Sequence, residues 1–399
     1  MSKYLFAWEL GQGLGHLVRY QGLVAKLLAD GHEVYYAARN VERVREVNPQ
    51  QALIVEEVRP EFRPKSERII NPRIASYATL LINCGFNDAT RLAHRTRRWI
   101  ECFERIQPDV FICDHSPTAL FANRFLGVPV VLAGNSFTVP PSENPFRLYQ
   151  YWRFEHSEQA SAVEAQLTAT VNAAQRKISS QAERMAHPSE ILNAQRRWLL
   201  TFPEFDGYGE RDDVRYFGTF AQPGFGAHFA WPKSPGPRVF VYLRGETGIR
   251  EYAEWARQVH ASTCIFAREL SPGARGLFDQ ATTLISDSPL DFSAVLASAE
   301  LAVTNGTSNT LVNFSVAGIP QLVIPRTIEN AMQARRLELL GAGLSFNGTD
   351  QEKFTSKMNG LLYDVDYTRG AQRIAEKYSD QNAKVMTEHL YKDLGSVLA

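Results

Sequence analysis

The stretch YLFAWELGQGLGHLVRYQGLVAKLLADGHEVYYAA (4–38) holds an apolar run, a loop with glycines at alternate positions, an amphipathic segment and a second apolar run. Leu17, Tyr20, Val24, Leu27 and Leu28 recur at helical spacing, and Gly31 stands where a helix C-terminal cap belongs. Strand, helix and strand in that order predict a parallel sheet covered on both faces. The alternation continues through ALIVEEV (52–58), VFICD (110–114) and VPVVLA (128–133). A second series begins at VFVYL (239–243) and runs through STCIFA (262–267), TTLIS (282–286), LAVTN (301–305) and QLVIP (321–325).

At 399 residues the chain exceeds what one hydrophobic core usually supports. The expected class is α/β, with two doubly wound, Rossmann-like parallel-sheet domains. The Pro- and Gly-rich QPGFGAHFAWPKSPGP (222–237) continues neither periodicity and is expected to link them. This predicts an N-terminal domain over 1–221, a C-terminal domain over 238–365 and a helical segment over 366–399 whose docking side the sequence leaves open. Open parallel sheets bind ligands outside the carboxyl ends of their strands, so function is sought in the strand-to-helix loops.

The first such loop has Gly11, Gly13 and Gly15 followed by His16. A dinucleotide fingerprint wants GxGxxG and an acidic residue at the end of the second strand, and neither is present. As a catalytic loop it reads better: the glycines allow a tight turn and leave room for an acceptor, and His16 is presented at a helix start. An imidazole there can take a proton from a hydroxyl near neutral pH, and does so better if a carboxylate fixes its other nitrogen. Asp114, ending VFICD, is the candidate; Asp109 starts the same strand and lies at its other end.

In the second half, Asn305, Gly306, Thr307, Ser308, Asn309 and Thr310 run from a strand into a helix, so small polar side chains and free helix N–H groups converge where a diphosphate can bind. Arg244, after VFVYL, offers a positive charge to the same ligand. Glu329 and Asn330 open a later helix; a carboxylate beside an amide can hold adjacent sugar hydroxyls.

On these residues the chain resembles the GT-B glycosyltransferases, in particular the family 1-like, nucleotide-sugar-dependent group of macrolide, plant natural-product and glucuronosyl transferases. The likeness is carried by GLGH (13–16) and Asp114 in the first half, and by NGTSNT (305–310), GIPQLVIP (318–325), Glu329, Asn330 and LGAG (340–343) in the second. It implies two domains facing a central cleft, with His16 as general base oriented by Asp114. It also implies a donor diphosphate held by the 305–310 loop, a transferred hexose held by Glu329 and Asn330, and inverting transfer from a UDP- or dTDP-sugar without a metal or other cofactor. Two positions depart from the family pattern: Asn305 replaces the usual His at the diphosphate, and Asn313 stands where many members carry a ribose-binding Glu, which leaves a deoxyribose donor open.

A sugar-nucleotide epimerase of this architecture wants an Arg-rich first loop, whereas this one is neutral except for Glu9. A catalytically silent partner protein is suggested by Asn305 and Asn313 and opposed by His16 and Asp114. Asp364-Val365-Asp366, the one DxD, reads as a helix start and not as a metal site.

Lys plus Arg and Asp plus Glu both number 43, which gives no net field to gather a nucleic acid. The partners expected are a nucleotide sugar and a small-molecule or saccharide acceptor. Cys84, Cys102, Cys113 and Cys264 show neither zinc nor disulfide spacing. The short N-terminal apolar run does not suit a signal peptide, and no stretch approaches the roughly 20 apolar residues that span a bilayer; a soluble, cytoplasmic protein is expected. Acceptor choice is expected in the loops 59–90 and 136–160, the second containing the aromatic run ENPFRLYQYWRFEH (143–156), which also suits a buried helix face.

Overall fold

A computed structural model describes residues 1–11, 14–48, 75–220, 226–267 and 270–398, together with the backbone of 54–57. Two compact units emerge. One comprises Met1–Leu200, Glu210–Gly218 and Lys384–Ala399; the other comprises Thr201–Gly209 and Thr219–Ala383.

Among the described residues the first unit is built on seven parallel strands: β1 (Lys3–Trp8), β2 (Glu33–Ala38), β3 (Ile54–Glu57), β4 (Val110–Asp114), β5 (Val130–Gly134), β6 (Arg196–Leu199) and β7 (Arg215–Tyr216). Their order is β3-β2-β1-β4-β5-β6-β7. β4 and β5 are buried at every residue and β1 at all but its first, as a sheet covered on both faces demands. The predicted first helix is two, Gly15–Val18 and Gln21–Ala29, with Arg19 and Tyr20 between them. Gly31, at φ +79, ends the second as expected.

Among the described residues the second unit carries six parallel strands: β8 (Arg238–Tyr242), β9 (Ser262–Phe266), β10 (Thr283–Ser286), β11 (Leu301–Thr304), β12 (Gln321–Val323) and β13 (Gly343–Ser345), ordered β10-β9-β8-β11-β12-β13. Val239, Val241, Ile265, Val303 and Leu322 pack with Tyr252, Trp255 and Phe354 into one core. In both units the strand order reverses direction beside the first strand, between β1 and β4 and between β8 and β11. A crevice opens at such a switch point because the loops of the two strands lead to opposite faces of the sheet.

The division differs from the sequence expectation at its edges. Residues 201–209 belong to the second unit, where Phe202 stacks on Tyr378 with ring centroids 3.7 Å apart. Of the expected linker, 222–225 lie outside the described residues, and 226–237 are part of the second unit: Ala227 N donates to Pro289 O and Asp291 N to Ala227 O, both at 2.8 Å, and Gly236 N donates to His260 O at 3.0 Å. The expected segment 366–399 is not one piece. The helix Val365–Lys377 stays with the second unit, and the helix Ala383–Leu398 packs on the first. There Trp198 Nε1 donates to Asp393 Oδ2 at 2.6 Å, Lys26 pairs with Glu388 at 3.3 Å, and Gly22 leaves room for Thr387, whose Oγ1 would lie 2.3 Å from a Cβ at that position.

Candidate active site

Trp8 and Asp114 are paired residues at the carboxyl ends of β1 and β4, so the loop after β1 and the end of β4 meet at the switch point of the first sheet. His16, in the short helix after that loop, places Nδ1 2.7 Å from Asp114 Oδ1. With the carboxylate ionised, this bond requires Nδ1 to donate, which leaves Nε2 as the acceptor. The imidazole is fixed on its faces too. It stacks on Trp8 (centroids 5.8 Å apart, planes at 21°) and on His115 (6.1 Å, 29°).

Asp114 is 3% exposed. Burial by itself would raise its pKa, but the charges of His16 and Arg19, with the hydrogen bond from His16, outweigh that cost and hold the carboxyl below its ordinary range. Asp114 is therefore an anion throughout the neutral range, as an orienting partner must be. Glu9 plays another part. Buried, it accepts from Thr118 N at 2.9 Å and Thr118 Oγ1 at 2.6 Å, tying the end of β1 to the helix Pro117–Asn123, and burial raises its pKa.

Gly11 shows why this loop needs glycine. It sits at φ +86, and a Cβ there would lie 2.4 Å from His16 Nε2. Gly11→Ala is expected to cost about 1–2 kcal/mol through the left-handed backbone alone and to push the imidazole off Asp114; thermal unfolding checks the first and the His16 NMR resonances the second. Gly15 starts the helix that carries His16, its carbonyl accepting from Arg19 Nε at 2.5 Å. Gly13 lies outside the described residues, as do 59–74 of the loop expected to choose the acceptor.

His115 was not singled out from sequence. It has φ +49, its pKa is pushed down to about 3 by burial and then by the His16 charge, and its Nε2 is buried without a partner. The folded state binds its proton near pH 3 and the unfolded state near pH 6.5, so the stability that depends on a neutral His115 is complete above about pH 6.5 and falls as the pH drops toward 3. His115→Asn, which tolerates positive φ, is expected to remove a slope of up to about 1.4 kcal/mol per pH unit between about pH 6 and pH 4. Urea unfolding of both proteins across that range measures it.

The second switch point gathers the other candidates. Thr304 at the end of β11 pairs with Tyr242 on β8 and Val323 on β12. Asn305 Oδ1 accepts from Arg244 N at 2.6 Å, and its Nδ2 donates to Ile324 O at 2.8 Å. Both ends of this amide thus hold backbone, which orients the loop. Gly306, at φ +74, brings its backbone against Val323: a Cβ would sit 2.5 Å from Val323 Cγ1. Thr307 precedes the helix Ser308–Val316 without capping it by a side-chain bond, and its hydroxyl donates to Thr310 Oγ1 at 3.0 Å. Ser308 Oγ and Asn309 Oδ1 are buried without hydrogen-bond partners. An uncapped helix start with unsatisfied polar atoms suits an anion.

Asn330 is also engaged with the loop, Nδ2 donating to Gly306 O at 3.3 Å and Oδ1 accepting from Arg326 N at 3.4 Å. Glu329 is half-buried in the first turn of the helix Ile328–Leu339. Arg244 is exposed, and its carbonyl accepts from the guanidinium of Arg326, a second exposed cation at the carboxyl end of β12. Arg326 escaped the sequence reading, although its place just after QLVIP is a strand-end position like that of Arg244. Among the described residues no group of His, Cys, Asp and Glu is arranged to hold a metal ion.

No protein-family model matches the sequence, and no curated protein matches it. Solved structures match throughout. The glycosyltransferase of kitacinnamycin superposes with a TM-score of 0.72 at 16% identity, covering 100% of this chain and 99% of that one. The calicheamicin glycosyltransferase gives 0.69 at 17%, covering 100% and 98%. The spinosyn rhamnosyltransferase complexed with thymidine diphosphate gives 0.65 at 19%, covering 98% and 100%. The fold is GT-B. Within that GT-B frame, the two switch points are where the strand-end loops place His16 with Asp114 and the 305–310 loop with Arg244. No helix among the described residues is long and apolar enough to cross a membrane.

Proposed function

We propose that the protein is an inverting glycosyltransferase that moves a hexose from a nucleoside-diphosphate sugar, a UDP- or dTDP-sugar, to a hydroxyl of a small-molecule or saccharide acceptor. The observation that carries this reading is the 2.7 Å bond between His16 and Asp114 at the first switch point. His16 Nε2 takes the acceptor proton as the oxygen attacks the anomeric carbon. The bond from that carbon to the diphosphate breaks with its electron pair leaving on the diphosphate, and Asp114 stabilises the imidazolium that forms.

The leaving charge falls to the N-terminal turn of Ser308–Val316, to the Ser308 hydroxyl and to Arg244 and Arg326, with no metal required. Asn305, Gly306 and Asn330 shape that loop, Thr307, Asn309 and Thr310 line it, and Glu329, in the first turn of the helix beside it, is assigned to the sugar hydroxyls. Asn313, whose Nδ2 donates to Asn309 O at 2.7 Å, lacks a carboxylate for a ribose diol, which favours a deoxyribose donor. Two solved structures of the same fold are complexes with thymidine diphosphate, the spinosyn enzyme above and the glycosyltransferase VinC.

The test is a transfer assay with dTDP- and UDP-hexoses and a panel of hydroxylated acceptors, read by mass spectrometry and by the anomeric coupling of the product. The expected product carries one added hexosyl unit of inverted configuration, at a rate unaffected by EDTA. Retained configuration, or complete loss of rate on chelation, contradicts the mechanism.

A further inference from the structure

Only one oxygen of Asp114 is taken up by His16. The other, Oδ2, is buried against the Tyr20 hydroxyl and faces Arg19 Nη1 at 3.9 Å. Arg19 is 7% exposed, and its Nε bond to Gly15 O pins the guanidinium to the helix that carries His16, three residues further along the chain. A buried arginine is costly to keep without a purpose for its charge, because it surrenders its hydration.

The groups packed against this pair come from every neighbouring element. From β1 comes Trp8, which is uncharged. From the segment after β4 comes His115, neutral because burial depresses its pKa. Tyr20, next to Arg19, and Tyr36 on β2 are buried phenols pushed well above their ordinary range, by burial first and by the Asp114 charge second, and are neutral as well. Beyond these lie two further charged side chains, Glu9, buried and engaged by Thr118, and Arg39, whose Nη1 donates to Gly11 O at 3.1 Å; the cation that faces Asp114 opposite His16 is Arg19.

We propose that Arg19 is a positioning residue for the His16–Asp114 pair, sharing the Asp114 charge through its second oxygen and so weakening that carboxylate's hold on the His16 imidazolium. A buried carboxylate with imidazole as its sole cationic partner stabilises the imidazolium strongly and raises its pKa. A permanent cation on the far side of the same carboxylate weakens that pull and adds direct repulsion of the imidazolium. The free base that proton abstraction requires is preserved.

The inference rests on His16 being the base, but its test needs no turnover. The midpoint of His16 is followed by NMR titration in the full chain, its resonances assigned by their loss in H16Q, for wild type, R19M, R19Q and R19K. R19M and R19Q are expected to raise the midpoint by about one pH unit, and R19K to hold it within a few tenths of wild type. R19Q gives the same reading with a polar head group should the buried site reject methionine. An unchanged midpoint in the neutral variants overturns the proposal, and an equal shift in R19K overturns it too, by showing that the bond to Gly15 and not the charge is what matters. If the midpoints move as expected while H16Q transfers at the wild-type rate, the role of His16 as base falls and the charge arrangement stands.

Discussion

His16→Gln is expected to lower the rate of transfer by about 10²–10⁴-fold at saturating donor, the range over which a positioned general base contributes, while the dissociation constant for nucleoside diphosphate stays at its wild-type value. The substitution keeps a hydrogen-bonding side chain of similar reach and removes the group that can accept and carry a proton. The separation of rate from binding follows from the fold: His16 belongs to the unit built on β1–β7, and the loop proposed to hold the diphosphate belongs to the unit built on β8–β13. Steady-state kinetics with one identified acceptor and calorimetric titration of the same variant provide the comparison. A rate within a few-fold of wild type would remove His16 from the mechanism.

Asp114→Asn is expected to cost nearly as much, up to about 10⁴-fold, by a different route. An asparagine fills the same space, but its amide can present N–H to Nδ1. The imidazole then carries its proton on Nε2, the nitrogen that must accept from the acceptor, and the base is present in the wrong tautomer. Removing the carboxylate also takes away the charge that stabilises the imidazolium as it forms. NMR of the imidazole nitrogens distinguishes the two tautomers directly.

The fold was legible wherever strand and helix periods were long. The βαβ stretch 4–38 announced a parallel sheet, and YLFAW, VFICD, VFVYL and LAVTN, the strands that flank the two switch points, are continuous apolar runs because both faces of their sheets are covered. The strands without a signal lie on the outer side of each sheet. β6 opens with two arginines, β7 has two residues and β13 three, too few and too polar for a period to show. The expected linker failed for a related reason: its prolines and glycines exclude regular structure, but not the irregular backbone pairing of Ala227 with Leu290.

At the candidate site, sequence could nominate His16 and Asp114 because residue type and strand-end position suffice. It could not see the 2.7 Å bond, since the partners are 98 positions apart. Arg19 and His115 were visible as neighbours in the chain of His16 and Asp114, yet their burial, which gives them their electrostatic roles, is a tertiary property. The same holds for Asn305 and Asn330. Their amides also tie the loop to neighbouring backbone, bonds that no sequence pattern announces.

Gly306→Val is read by one measurement, calorimetric titration of the wild-type protein and this variant with dTDP, UDP and GDP. The proposed donor site requires saturable binding of one nucleoside diphosphate by wild type, dTDP more tightly than UDP, and loss of that binding in a folded Gly306→Val protein, whose added side chain meets Val323 and demands an unfavourable φ at the start of the turn proposed to bind the diphosphate. Wild-type protein that binds none of the three, or a variant that binds as wild type does, would contradict it.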